Sequence, residues 1–170
     1  MSMARGSTPG LRPFLPADSL ALATLFRASI ERLAAEDYSE EQRAAWISVA
    51  DDEPAFSARL AAGLTLLALV DGKIAGFAMI KDNLLIEMLY VSPDVARRGI
   101  GSALIDAIEK LAAGRGAKQL TVEASDSARD FFAARGYVPQ SRNTVLVGGE
   151  WLGNTTMTKE LAAASTGGPH

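Results

Sequence analysis

Apolar residues recur at helical spacing just after Pro16-Ala17-Asp18: Leu22, Leu25, Phe26, Ile30 and Leu33 share one helix face, which is expected in the core. A short run at 11–14 before it reads as a strand. Ser39 with Gln42 three positions later has the form of a capping box and predicts a second helix carrying Trp46, Ile47 and Val49. Pro54 interrupts, and a third short helical piece ends near Gly63. The pattern changes at Leu64. Residues 64–70 form an apolar run of strand length, and Asp71-Gly72-Lys73 is a tight hairpin turn into a second strand at 74–80. A turn at Asp82-Asn83 leads to a third strand at 84–91, so the three form an antiparallel meander. Ile100, Leu104, Ile108 and Leu111 then mark an amphipathic helix ending at Gly114 and Gly116. A strand at 118–123, a helix at 127–135 stopped by Gly136, and a final hairpin (137–147, Gly148-Gly149, 151–161) complete the chain.

The order β-αα-βββ-α-β-α-ββ predicts an α/β fold, with helices flanking a mixed sheet of about seven strands. The strand-loop-helix-strand unit at 84–123 should be a right-handed crossover, leaving its two strands parallel. A chain of 170 residues that is 48% hydrophobic suffices for one well-buried core. Residues 11–161 are therefore expected to form a single domain. The ends, 1–10 and 162–170, are rich in Gly, Ser, Pro and Ala and are expected to be flexible.

Charge and composition narrow the chemistry. A net charge of -3 without a Lys/Arg block argues against nucleic acid as a partner. No segment has the apolar length of a membrane span or a signal peptide, so a cytoplasmic location is expected. With no Cys and a single His, His170 at the end, the chain offers no disulfide, no thiolate zinc site and no acyl-cysteine chemistry, and no metal is expected.

The segment Arg97-Arg98-Gly99-Ile100-Gly101-Ser102 joins a strand to the first turn of a helix. Backbone N–H groups at a helix start lack intrahelical partners, and glycines there let an anion come close, so the loop can cradle a pyrophosphate. Arg97 or Arg98 can add a charged donor and Ser102 a hydroxyl. The same glycines could equally serve only a tight strand-to-helix connection. A Rossmann fingerprint would need a small residue at Leu104, and a Walker loop a Gly-Lys-Ser/Thr sequence; neither is present.

The longer stretch Glu87-Met88-Leu89-Tyr90-Val91-Ser92-Pro93-Asp94-Val95-Ala96-Arg97-Arg98-Gly99-Ile100-Gly101-Ser102-Ala103-Leu104-Ile105 resembles the acetyl-CoA-binding motif of the GNAT N-acetyltransferases. It departs from that motif at Ala96, where the family has Gln or Arg. A second family motif is similar to Ala128-Arg129-Asp130-Phe131-Phe132 followed by Gly136-Tyr137. The resemblance spans roughly residues 11–161.

It implies an enzyme that uses acetyl-CoA as co-substrate, wedged between the parallel strands at 84–91 and 118–123, and that attacks the thioester directly with an amine. Main-chain groups of Leu89 and Val91 would hold the pantetheine arm and acyl carbonyl, with Phe131 and Phe132 beside them. Glu87 is the candidate base, or else an outward-facing strand carboxylate. The family often places a Tyr where this chain has Phe132, so the proton for departing CoA must come from Tyr90, Tyr137 or water; both tyrosines could instead be core residues. Ser127, at a position that is frequently Asn in the family, either contacts the pantetheine or caps a helix. On the acceptor side Asp37-Tyr38-Ser39-Glu40-Glu41-Gln42 and Trp46 form the most polar-aromatic cluster, with Tyr38, Gln42 and Trp46 as the candidate contacts, although Trp46 at helical spacing also suits a core. The acceptor would be a small-molecule or peptide amine, cationic if the neighbouring acids face the pocket. The competing reading is a non-catalytic acyl-CoA-binding module. The exposed-edge potential of the last hairpin would suit a homodimer.

Overall fold

A computed structural model describes residues 8–162. The chain begins with strand β1 (Gly10–Pro13), then a 3-10 turn at Pro16–Asp18 runs into α1 (Ser19–Leu33), followed by α2 (Glu40–Ile47) and α3 (Glu53–Ala61). The meander is β2 (Leu64–Val70), β3 (Lys73–Lys81) and β4 (Leu85–Val91). Next come α4 (Ile100–Gly114), β5 (Gln119–Ser125), α5 (Arg129–Ala134), and the hairpin β6 (Val138–Val147) and β7 (Glu150–Glu160). Asp71 and Gly72 (φ 53° and 78°) are both left-handed, the geometry that matches the twist of a two-residue hairpin, and Asp82 and Asn83 (φ 56° and 57°) are left-handed in the three-residue loop between Lys81 and Leu85.

These strands form one seven-stranded sheet in the order β1-β2-β3-β4-β5-β7-β6. All neighbours are antiparallel except β4 and β5, the pair expected to be parallel. One face carries a core in which Leu104, Ile105 and Ile108 of α4 meet Ile86, Leu120, Val122 and Met157. On the other, Leu22, Phe26 and Ile30 of α1 and Phe56 and Leu60 of α3 pack on Leu67, Phe77 and Met88. The chain is thus a helix-sheet-helix sandwich, with hydrophobic burial on both faces driving assembly.

Three local expectations need correction. Leu33, expected in the core, is 42% exposed and lines a cleft at the end of α1. The helix expected at 127–135 is shorter, since Ser127 lies in the turn before it and Ala128 is its N-cap. The parallel strand runs on to Ser125. The expectation of flexible ends falls mostly on residues 1–7 and 163–170, which with His170 lie outside the described residues.

Candidate active site

The parallel pair β4 and β5 is bonded over two rungs, Leu85 with Thr121 and Ile86 with Val122. Beyond them the strands part, and a cleft of about 900 Å³ opens between α1, β4, β5 and the starts of α4 and α5. A β-bulge lies at this point: Met79 pairs with Met88 and Ile80 with Ile86, so Glu87 is the extra residue. The bulge switches the alternation of side chains. Ile86 belongs to the core under α4, whereas Met88 belongs to the core under α1 and α3. Leu89 and Val91 then pack on the α4 side and line the cleft, and Tyr90 joins the α1 side. Glu87 itself faces α3, where its Oε1 accepts from Arg59 Nε at 3.1 Å, and its side chain remains 18% exposed at the cleft.

The loop that enters α4 turns through two left-handed residues, Arg97 (φ 68°) and the N-cap Gly99 (φ 81°). The first helical bond runs from Ala103 N–H to Gly99 O at 3.0 Å, so the amides of Ile100, Gly101 and Ser102 precede the ladder and are available to an anion. A Cβ placed on Gly99 would meet nothing within 4 Å, which leaves its backbone open to a ligand. Gly101 is different: a Cβ there would lie 3.3 Å from the Phe131 ring, so this glycine also lets α5 close on α4. Arg97, Gly99, Gly101, Ser102 and Phe131 line the cleft; Arg98 is exposed and does not. Ile100 and Phe132 also border the cleft, from within the core, at 3% and 1% exposed. An acyl-CoA pyrophosphate and pantetheine fit this donor set, which combines free amides, an arginine and two apolar strand residues.

On the opposite wall Trp46 Nε1 donates to the Tyr90 hydroxyl at 3.2 Å. Tyr90 is wedged edge-on against Phe26, with ring centroids 4.7 Å apart, and against Phe77. Burial pushes its phenol up to about 12. Of the residues expected to bind acceptor, Trp46 lines the cleft while Tyr38 and Gln42 do not. The Tyr38 hydroxyl donates to Gly153 O (2.6 Å) and accepts from Asp126 N–H (2.8 Å). Gln42 completes the capping box with Ser39 and donates through Nε2 to Trp151 O (2.8 Å). Both therefore tie the helices to β7, and Tyr38 also to the β5-α5 loop, outside the cleft lining.

Tyr137 is likewise removed from the site. It is 2% exposed, lies outside the cleft, and donates to Glu109 Oε2 at 2.7 Å, a carboxylate that also receives Lys159 Nζ at 3.0 Å. Burial, and then the adjacent Glu109, raise its pKa. Ser127 does line the cleft, but its hydroxyl donates to Asp37 Oδ2 at 2.8 Å rather than capping α5.

Sequence reading missed two polar residues of the cleft region, Glu123 and Arg59, whereas Asp37 belongs to the polar-aromatic cluster it singled out and does line the cleft. Glu123 carried a weaker signal than Glu87, because its strand also holds Gln119, Thr121 and Ser125. Arg59 carried none, because its pairing with Glu87 depends on the bulge and on how α3 packs. Among the described residues no group of His, Cys, Asp and Glu is arranged to hold a metal ion, and no helix is long and apolar enough to cross a membrane.

Comparison with known proteins agrees with this geometry. Residues 34–161 match the family profile described as an acetyltransferase (GNAT) domain. An uncharacterized N-acetyltransferase, YafP, from Escherichia coli K12 is 30% identical over 147 residues, covering 86% of this chain and 93% of that protein. A crystal structure described as the GCN5-related N-acetyltransferase "Aminotransferase, Class-II" from Rhodopseudomonas palustris is 58% identical, covers 95% of this chain and 100% of the other, and superposes with a TM-score of 0.91. The PaiA N-acetyltransferase of Thermoplasma acidophilum, in complex with coenzyme A, shares the fold at 20% identity, covering 91% of this chain and 99% of that one, with a TM-score of 0.76. The splayed parallel strands, the glycine loop capping α4 and these matches make the chain an enzyme of the GNAT acetyltransferase family.

Proposed function

We propose that this enzyme transfers the acetyl group of acetyl-CoA to a primary amine by direct attack within a ternary complex. The observation that carries the reading is the place of Glu87: a bulge sets this carboxylate at the apex of the β4-β5 splay, on the face opposite the α4 loop. The fold neighbours from Thermoplasma acidophilum and Sinorhizobium meliloti were solved with coenzyme A and with AcCoA, which supports acetyl-CoA as the co-substrate.

In this reading the amides of Gly99, Gly101 and Ser102, with Arg97, hold the pyrophosphate, and the main chain of Leu89 and Val91 holds the pantetheine arm and carbonyl. Phe131 and Ser127 border the arm. The acceptor nitrogen attacks the thioester carbon; the C–N bond forms, the C–S bond breaks, and its electron pair leaves on sulfur. Glu87 takes the proton from the attacking nitrogen, and the departing sulfur collects one from the Tyr90 hydroxyl or from water. Tyr90 suits that part: its oxygen accepts from Trp46, which leaves its own hydrogen for the cleft, and a pKa of about 12 keeps it protonated at neutral pH. Phe132 contributes packing and no proton. A cytoplasmic enzyme is the setting this reading assumes. Pairing of two copies along edge strand β6, where Val138 and Leu146 are exposed, is its proposed assembly.

Glu87→Gln tests the base. It should leave acetyl-CoA binding intact and lower kcat by roughly 100-fold, the usual scale for a general base. An unchanged rate with an unchanged pH profile would remove Glu87 from the mechanism.

A further inference from the structure

Among the described residues a single side chain bonds the Glu87 carboxylate, and it does so through one atom: Arg59 Nε donates to Oε1 at 3.1 Å. The other oxygen, Oε2, accepts from no protein group among them. Arg59 stands behind the carboxylate, since Glu87 lines the cleft and Arg59 does not. The arginines that do line the cleft lie apart from this pair: Arg32 is bonded to Asp94, and Arg97 belongs to the loop that enters α4.

The place of Arg59 is set by α3. Phe56 and Leu60 are buried, 1% and 0% exposed, and hold the helix on the sheet, while Arg59 in its last turn reaches across to β4. Stability does not account for the contact, because a pair whose arginine side chain is 44% exposed adds little to folding. What the contact removes is freedom. A glutamate at a bulge has several side-chain rotamers open to it, and no second protein donor selects among them. The charge of Arg59 is also felt at Tyr90: burial pushes that phenol up to about 12, and the Trp46 N–H and then Arg59 act against it. One cation thus stands near both the base and the acid of the proposed mechanism.

Resting on the acetyltransferase reading above, we propose that Arg59 is a positioning residue for the transfer: by holding Oε1 it fixes the Glu87 carboxylate at the apex of the splay and leaves Oε2 to take the proton from the attacking nitrogen. A base already oriented spends nothing on finding its geometry, and small displacements of a reacting group are costly in rate.

The test has a structural arm and a kinetic arm. Crystal structures of the intact protein and of Arg59→Met, which keeps the aliphatic stem and loses the donor, are compared at Glu87. The carboxylate should leave its place or spread over several conformers while the bulge backbone stays; a carboxylate found ordered and unmoved overturns the proposal. For kinetics, CoA release from saturating acetyl-CoA is followed with pentylamine, tyramine and lysine ethyl ester as probe amines in the intact enzyme, Arg59→Met, Arg59→Lys, Glu87→Gln and the double variant Arg59→Met/Glu87→Gln. Arg59→Met should lower kcat by about tenfold, less than loss of the base itself, with KM for acetyl-CoA unchanged, and Arg59→Lys should recover part of the loss. In the Glu87→Gln background the same substitution should have no further effect, because the group that Arg59 positions is gone. The pair is partly exposed, so all five proteins should melt alike. An unchanged kcat in Arg59→Met, or an equal loss with and without Glu87, overturns the positioning role and leaves the base assignment standing. An unchanged kcat in Glu87→Gln overturns the base, and no CoA release with any probe amine while acetyl-CoA still binds overturns the transferase reading; this proposal falls with either.

Discussion

Trp46 and Tyr90 meet across two elements, the indole N–H of α2 donating to the phenol of β4 at 3.2 Å, and this bond ties the helix to the strand that carries Glu87. The protein has three tyrosines, and in each burial is the first cause of a raised pKa: Tyr38, Tyr90 at about 12, and Tyr137, where Glu109 adds to the effect. An unfolded tyrosine ionises near about pH 10. The folded state therefore holds these protons more tightly than the unfolded chain does. The stability so contributed is complete below about pH 10 and is lost as pH rises from there through about 12. Spectrophotometric titration should show little phenolate absorbance in the native protein up to about pH 10.5, a little above the ordinary tyrosine value. Chemical denaturation midpoints should fall over the same alkaline range. A native phenol titrating at its ordinary pH would contradict the burial of Tyr90.

The two glycines of the α4 loop should respond differently to substitution. Gly99→Ala places a side chain at φ 81° with open space around it, so it should cost about 1 to 2 kcal/mol in backbone strain and weaken acetyl-CoA binding moderately. Gly101→Glu sets a Cβ 3.3 Å from Phe131 and a negative charge among the free amides at the start of α4, and on the proposed reading it should abolish binding. Isothermal titration with acetyl-CoA measures both. Undiminished binding in Gly101→Glu would move the pyrophosphate elsewhere.

Tyr38 and Tyr137 separate structural from chemical tyrosines. Tyr137→Phe removes one bond to a Glu109 that keeps Lys159, and it should lower stability by about 1 kcal/mol without altering kcat. Tyr38→Phe strands Gly153 O and Asp126 N–H together, and it should cost about 1 to 3 kcal/mol and also raise the acceptor KM, because Asp126 and Asp37 flank the cleft. Thermal melts and steady-state kinetics distinguish the two. A Tyr137→Phe enzyme that folded but lost kcat would restore Tyr137 to the mechanism.

The order of elements, the parallel relation of β4 and β5, the capping box at Ser39 and the glycine loop at 97–102 were all legible in the linear chain. Each is set by neighbours a few residues apart: hydrophobic period, turn residues with left-handed φ, side chains that cap their own helix. Those local rules, with the long resemblance from Glu87 to Ile105, sufficed to single out the glycine loop and Glu87, both of which line the cleft.

Tertiary packing decided the rest. Whether a tyrosine hydroxyl is spent on a neighbour depends on residues far away in sequence, as Tyr38 on Gly153 and Tyr137 on Glu109 illustrate, and spacing contains no such information. The bulge at Glu87 arises from register between β3 and β4, so regular alternation along the strand misassigns its faces. The pairing of Arg59 with Glu87, and the exposure of Glu123 where β5 leaves β4, follow from how α3 docks and where the sheet splays. Sequence alone thus determined the fold and the glycine loop at the start of α4, because these rest on short-range periodicity and backbone conformation. The wall of the cleft opposite that loop, with its charges and spent hydroxyls, took shape only when distant segments packed together and left some polar groups paired and others facing the cleft.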